Sequence, residues 1–578
     1  MTALIAISAT GQLASFSEAG VLGLADVHLA STLARLSGDA TPDVALAAAL
    51  TMRAWRTGSP CLDVTRADVL SADPDTETTP EVVGLDWPDP GAWLDHLRAS
   101  PLVSSAGSSE DSRPLVLDGH LLYLRNTWRS QSVVVGALAK RWVVAPPAPP
   151  AGPTGDEVID AVFTQWTSIL TGGPGTGKTT AVARLVSQAE QLPEFRTIAM
   201  AAPTGKAAAR LAQALEAAGI VSAARPTTLH RLLGSRGPGR GFRHDAANPL
   251  PADLVIVDEV SMVSLPLMAS LLKALRPTAR LLLVGDPAQL ASVEAGSVLA
   301  DLVAADVAAS AHGDTPLVTR LTHVYRHQGP LAALSAAVAA GDVDGALAAV
   351  ERSSGVIDLV GRDAASVTWA DLPDAAAAIR QAAQVTRQAA DRGDSATALA
   401  SLDAHRLLCA HRLGPYGVAH WARQVSALAT PPGCRTDDWW PGKAVLATAT
   451  TPDIGVVSGD QGVAIDTPDG LRLVFDDPSE TTRQLSLNAV PGLATLDAIT
   501  VHKAQGSEFD AVTVVLPPTD SPLSIRPLLY TAMTRARHRL TLIGTTDQLR
   551  HALATPSNRT SGLAEALRAR VVGSRPSE

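Results

Sequence analysis

Lysine is scarce in this 578-residue chain: among 47 Lys and Arg residues only Lys140, Lys178, Lys206, Lys273, Lys443 and Lys503 are lysines. That excludes one chemistry. Metal-dependent DNA nucleases of the D…[DE]-x-K type need a carboxylate two residues before a lysine, and the residues at that offset are Leu138, Thr176, Thr204, Leu271, Pro441 and Val501, none of them acidic. Cysteine is scarcer still. Cys61, Cys409 and Cys434 are too few and too scattered for an iron–sulfur cluster, a zinc site or a disulfide framework, and Cys409, inside an apolar run, reads as a core thiol. No uninterrupted apolar run reaches 18 residues, and the Ala-rich stretch from Leu331 to Val350 is broken by Asp342 and Asp344. The N-terminal stretch has no basic segment followed by an apolar one. A cytoplasmic location with no membrane partner is therefore expected. Positive charge is in deficit too, the net charge being -10. Any polyanion must then be gripped by local groups in a cleft rather than by a generally basic surface.

What is present begins with Thr171-Gly172-Gly173-Pro174-Gly175-Thr176-Gly177-Lys178-Thr179-Thr180, which fits G-x-x-x-x-G-K-[ST] at every required position. Each residue type has a physical reason. Glycines let backbone N–H groups close around phosphates, Lys178 reaches the β- and γ-phosphates, and Thr179 offers a hydroxyl to Mg²⁺. A short apolar run from Trp166 to Leu170 precedes the loop as a strand should. Thr180 to Gln188 then carries apolar residues at helical spacing. The pattern predicts binding and hydrolysis of a nucleoside triphosphate.

A triphosphate site also needs a metal-holding carboxylate and a group that orients water. Leu254 to Val257 reads as a buried strand ending in Asp258-Glu259, with Asp258 placed to hold Mg²⁺ and Glu259 to act as general base. A third apolar run, Leu281 to Val284, ends in Gly285-Asp286-Pro287-Ala288-Gln289-Leu290, where Gln289 is positioned to sense the γ-phosphate. Three apolar strands, each ending in phosphate-site residues, are the layout expected at the carboxyl edge of a parallel α/β sheet.

Other segments narrow the class. Ala202-Pro203-Thr204-Gly205-Lys206-Ala207-Ala208, Thr228-Leu229-His230, Asp258-Glu259-Val260-Ser261-Met262 and the Gly285–Leu290 run resemble motifs Ia, Ic, II and III of superfamily 1 helicases. Leu321-Thr322-His323-Val324-Tyr325-Arg326 is similar to motif IV, Thr500 to Asp510 to motif V, and Tyr530 to Arg537 to motif VI. With Leu408-Cys409-Ala410-His411-Arg412 and Gly414-Pro415-Tyr416-Gly417, the set resembles the RecD family of superfamily 1B, the α subunits of exodeoxyribonuclease V (RecBCD).

The resemblance implies an ATP-dependent 5′→3′ DNA helicase working with RecB-like and RecC-like subunits at double-strand ends in recombinational repair. It implies that Arg326 and Arg535 reach the γ-phosphate from a second motor domain and that Tyr325 stacks on adenine. Pro203, Thr204, Thr228, His230, Thr500 and His502 would hold the DNA strand. The adenine-reading glutamine usual upstream of the P-loop is missing: Gly155 stands there by count, and Gln165 lies too close to the loop. Two alternatives remain, a stand-alone superfamily 1B helicase and a non-translocating subunit that uses ATP binding as a switch. The full set Lys178, Glu259, Gln289, Arg326 and Arg535 argues against the switch.

The expected architecture is two RecA-like P-loop motor domains with small 1B and SH3-like 2B insertions, plus a mainly helical N-terminal domain. The clearest boundary is the proline-rich stretch 146–153, a stiff linker. Before it, 1–145 is read as a partner-docking or self-contained packing domain with a hairpin, Leu115-Val116-Leu117 and Leu121-Leu122-Tyr123, joined by Asp118-Gly119. After it come motor domain 1A (154–330) and motor domain 2A (331–578). The Gly/Pro/Arg-rich insertion at about 234–251 is either a strand-separating pin or a loop, and short β-like runs place the 2B insertion at about 441–494.

Overall fold

The computed structural model describes residues 9–39, 41–70, 82, 84–107, 112–144, 146–147, 154–220, 225–237, 239–310, 316–322, 329–476 and 482–573. Tyr325, Arg326 and residues 148–153 of the proline-rich stretch lie outside them.

The run Leu254–Val257 has no polar alternation because it is buried on both faces, as a central parallel strand must be. Val255 and Val257 join Ile169, Leu281 and Leu283 on one face, while Leu254 and Ile256 join Leu170, Leu282 and Val284 on the other. Six parallel strands make this first sheet, in the order Val318–Leu321, Thr167–Gly172, Arg280–Gly285, Leu254–Val257, Ile198–Ala202 and Thr227–Thr228. A second all-parallel sheet runs Ile357–Leu359, Ala536–Ile543, Phe509–Val515, His405–Cys409 and Ala498–Thr500. The expected core thiol Cys409 is fully buried there, and burial pushes its pKa up. Each sheet thus keeps its nucleotide-motif strands central and ends at one edge in a threonine-bearing strand.

Strands Ala444–Ala447, Gln461–Ile465, Arg472–Phe475, Arg483–Leu485 and Leu493–Thr495 form a separate antiparallel sheet over its own core of Val445, Val456, Leu473 and Phe475. Between residues 234 and 251 the described residues hold only the isolated pairing Ser235↔Phe242.

The N-terminal part is mainly helical, as expected, with a small sheet beside the helices. Helices Leu24–Ser37, Pro42–Arg56 and Pro90–Ala99 pack with a four-stranded sheet around Phe16, Leu50, Trp93 and Leu122. The hairpin pairs Asp118 with Leu121, so Gly119 (φ +62°) and His120 make the turn, one residue later than the sequence suggests.

Packing departs from the sequence boundaries in two places. Helix Arg125–Val143 precedes the proline-rich stretch, yet its Val134, Leu138 and Ala139 lie in the first lobe's core with Met268 and Leu281. Arg141 also donates from Nε to Thr167 Oγ1 at 2.9 Å and from Nη2 to the Trp166 carbonyl at 2.9 Å. Likewise the final helix, Leu563–Gly573, leaves the second lobe and buries Leu563, Leu567 and Val571 in that same first-lobe core. In each helix these apolar residues share one face, and the first sheet covers it. Among the described residues, 555–562 form a chain crossing between the lobes.

Candidate nucleotide and DNA site

The strand Thr167–Gly172 delivers the phosphate loop, and the helix Lys178–Ala189 starts where that loop ends. Gly175 (φ +73°) and Gly177 (φ +84°) hold left-handed backbone that side chains disfavour. Gly172 is constrained differently, since a Cβ there would run into the Thr176 side chain and come within 3.0 Å of the Leu321 carbonyl. Lys178 Nζ donates to the carbonyls of Gly172 at 2.6 Å and Gly173 at 2.8 Å, folded over the loop that it serves. Thr179 and Thr180 follow in the first helical turn.

Asp258 and Glu259 end the strand Leu254–Val257. Burial raises the Asp258 carboxyl and the adjacent Glu259 charge raises it further, against the Glu259 N–H, which donates to it at 2.8 Å, and the charges of Lys178 and Arg210. Glu259 is the one non-glycine among the described residues with positive φ (53°). Such backbone costs about 1–3 kcal/mol and persists where surrounding structure over-determines it, commonly at functional sites.

The loop after Arg280–Gly285 is stitched to the opposite lobe. Tyr530 Oη donates to Asp286 Oδ2 at 2.9 Å, Thr531 Oγ1 accepts from Leu290 N–H at 2.7 Å, and Gln505 Nε2 donates to the Leu290 carbonyl at 2.8 Å. Gln289 is buried between, its amide 3.4 Å from Asp286 Oδ2. Arg535 is also buried, donating to the carbonyls of Thr531 (3.1 Å) and Ser507 (2.9 Å) within its own lobe. A cavity of about 610 Å³ opens between the lobes, lined by Gly172, Gly173, Asp286, Leu331, Ser335 and Tyr530. That volume falls in the range of small-molecule sites. Tyr530 has no role assigned from sequence, although its hydroxyl lies 3.4 Å from where a side chain on Gly173 would begin. Only the fold brings it to the phosphate loop.

The strand-binding candidates gather at the other side of the same edge. Thr204, Thr228 and Thr500 each cap a helix, accepting from the N–H groups of Ala207 (3.2 Å), Arg231 (3.2 Å) and Lys503 (3.3 Å). Pro203 precedes the first of these caps. The His230 ring stands 5.8 Å from Phe242. Burial, then the charges of Arg559 and Arg412, push His502 down to about 4, so its imidazole is neutral at pH 7. Segments from opposite lobes meet here: a Cβ on Gly506 (φ +72°) would sit 3.6 Å from Thr204 Oγ1.

Two cations missed from sequence extend this contact. Lys206 pairs with Asp403 at 3.6 Å and Arg210 with Glu508 at 3.4 Å, each across the lobes. Their i, i+4 spacing on the helix Gly205–Ala217 puts both on one face. That spacing is legible in sequence, but the partners are far away along the chain. Among the described residues no group of three or more His, Cys, Asp or Glu forms a metal cluster, and no helix is long and apolar enough to cross a membrane.

Comparison with known proteins agrees with this layout. Residues 18–123 match the model of the RecBCD enzyme subunit RecD N-terminal domain, residues 156–295 an AAA domain, and residues 495–543 a UvrD-like helicase C-terminal domain. The RecBCD enzyme subunit RecD of Mycobacterium tuberculosis is 42% identical, the match covering 96% of this chain and 97% of that one. Its counterpart in Mycolicibacterium smegmatis is 41% identical over 96% and 99%. The ATP-dependent RecD2 DNA helicase of Deinococcus radiodurans is 35% identical, over 71% of this chain and 52% of that one. With a P-loop at the joint of two parallel sheets and near end-to-end likeness to these subunits, the chain belongs to the RecD family of P-loop DNA helicases.

Proposed function

We propose that this chain is the ATP-driven, 5′→3′ translocating subunit of a RecBCD-type complex, acting with RecB-like and RecC-like partners on DNA ends in the cytoplasm. The observation that carries the motor reading is the seam at Asp286–Leu290. The loop bearing Gln289 is bonded at three points to the segments that also carry Arg535 and His502. A change at the phosphates is thereby transmitted to the strand-holding groups of both lobes, which a translocase needs.

In this reading Lys178 and the loop N–H groups of Gly172–Thr180 hold the phosphates, and Glu259 takes the proton of the attacking water. Thr179 and Asp258 provide hydroxyl and carboxylate oxygens, donors suited to Mg²⁺. They fit it, because a carboxyl raised by burial beside a second carboxylate gains from a divalent cation. When bound, Mg²⁺ neutralises charge on the phosphates. Gln289 senses the γ-phosphate, and Arg535 reaches it by exchanging its carbonyl partners for phosphate oxygens as the cleft closes. Arg326 completes the pair and Tyr325 stacks on the base. Thr204, Thr228 and Thr500 present helix N-termini to DNA phosphates, with Pro203, His230 and His502 beside them, fixing register without reading sequence.

Lys178→Ala and Glu259→Gln should each leave the fold intact and lower DNA-stimulated ATP hydrolysis by roughly 10²-fold or more, the usual cost of losing one preorganised charge-stabilising group. Near-normal turnover in a folded Lys178→Ala protein would overturn the assignment. Co-purification of the tagged chain with a helicase–nuclease pair separates the subunit reading from a stand-alone motor.

A further inference from the structure

Residues 555–562 carry the chain from the second lobe's last helix, Thr546–Ala554, to the helix Leu563–Gly573 in the first lobe's core. This crossing is fixed along its length. Thr560 N–H donates to Ser59 Oγ at 3.2 Å, Cys61 Sγ approaches the Thr560 carbonyl at 3.8 Å, and Ser561 Oγ donates to Asp301 Oδ2 at 2.7 Å. Ser59 and Cys61 belong to the N-terminal unit and Asp301 to the first lobe. The crossing is a three-way joint rather than a slack tether.

Arg559 sits at its centre. Its Nη1 donates to the Ser292 carbonyl at 2.6 Å, in the loop that follows Gln289. Its guanidinium lies against Gly58 (φ +93°), where a Cβ would come within 2.6 Å of Arg559 Cζ, and the Gly58 carbonyl accepts from Gly296 N–H at 3.0 Å. The Arg559 charge also reaches His502 on the DNA side of the second lobe. Burial pulls the guanidinium down to about 10, yet among the described residues it has no carboxylate in an ion pair.

We propose that Arg559 is a positioning residue for DNA-coupled ATP turnover and that, through Gly58, it lets the N-terminal unit set how strongly DNA drives the motor. The inference rests on the helicase reading above. Arg559 ties the loop behind Gln289 to the Gly58 segment, and its charge disfavours a positive charge on His502. Anything that shifts the Gly58–Cys61 segment moves that tie, and partner docking on the N-terminal unit gains a direct route to the cleft.

The test uses the full chain carrying Arg559→Ala, Arg559→Lys or Gly58→Ala, each first shown to melt cooperatively, with ATPase measured against an oligothymidylate titration. For Arg559→Ala and Gly58→Ala, the oligomer concentration for half-maximal stimulation should rise, or the stimulation ratio fall, by about fivefold or more, with basal hydrolysis within about twofold of wild type. Arg559→Lys should recover little, because an ammonium lacks the flat fork that rests on Gly58. Gly58 is the discriminating site, being part of neither the nucleotide nor the strand-binding groups. Should Gly58→Ala fail to fold, hydrogen exchange of the wild type reads the same link: oligothymidylate should slow exchange over residues 57–61. Unchanged stimulation in folded Arg559→Ala, basal and stimulated rates falling together, or unchanged exchange at 57–61 would overturn the proposal. A wild type with no DNA stimulation at all would instead remove the helicase reading beneath it.

Discussion

Tyr530→Phe removes one oxygen from the seam between the lobes and leaves the ring in place. That oxygen donates to Asp286 Oδ2 at 2.9 Å, and Tyr530 and Asp286 are 2% and 3% exposed. A hydrogen bond to a charged group contributes about 1.5–3 kcal/mol. Nothing else at the seam replaces it, since the Gln289 amide stands 3.4 Å from the same oxygen, at the weak end of the hydrogen-bond range. At tenfold per ~1.4 kcal/mol, the closed arrangement should lose about 10- to 150-fold against an open one in which both groups are hydrated. Steady-state ATPase at saturating DNA should fall by about tenfold or more. In a double-mutant cycle with Asp286→Asn, the two changes should be strongly coupled, by about 1.5–3 kcal/mol, because they remove the same bond. Turnover within a factor of about two of wild type, with coupling under about 0.5 kcal/mol, would refute the claim that this bond holds the lobes together.

Two further predictions concern pH. Burial lifts the Asp301 carboxyl to about 6, offset in part by its bond from Ser561. With the folded pKa above the unfolded one of about 3.9, the folded state retains the extra proton, so this group's contribution falls as pH rises from about 4 to 6 and stays low above that. Asp301→Asn should therefore raise the melting temperature at pH 7.5, by an amount equivalent to about 1–3 kcal/mol, with a smaller gain at pH 5; an equal or larger gain at pH 5 would contradict the assignment. His502, held down to about 4, is neutral across the physiological range. The ratio of single-strand affinities between wild type and His502→Ala, measured by fluorescence anisotropy, should stay constant between pH 6.5 and 8. A ratio that climbs steeply toward pH 6.5 would show that the imidazolium makes the contact.

The phosphate loop, the Asp258-Glu259 strand end and the Gln289 loop are legible in sequence because each is local: a run of apolar residues followed within a few positions by its chemistry. The all-buried strands follow from the same runs, since only a sheet covered on both faces suits Leu254–Val257. Contacts that depend on two distant segments are not legible in this way. Tyr530 stands in a recognisable motif, but its bond to Asp286 exists only once the lobes meet. Lys206 and Arg210 show their shared helix face in sequence without showing Asp403 or Glu508. The three capping threonines show a subtler limit, because a helix cap and a phosphate ligand require the same hydroxyl at the same strand end. Helices Arg125–Val143 and Leu563–Gly573 mislead for the opposite reason: their apolar stripes are plain, but a stripe does not say which core it covers.

That last helix has a consequence for how the protein is made. Leu563, Leu567 and Val571 share one core with Val134, Leu138, Val255 and Leu281, so the first lobe lacks part of its interior until residues 563–571, more than 200 positions after its last strand, have been synthesised. At roughly 5–20 residues per second, translation from Leu321 to Val571 takes on the order of 12–50 s, during which the apolar face awaiting Leu563–Val571 stays uncovered. The N-terminal unit can fold early around its own core, but the motor cannot mature in the order in which it is translated. A ribosome that stalls within the second lobe leaves an incomplete first lobe, open to chaperones and proteases, rather than a functional half-motor.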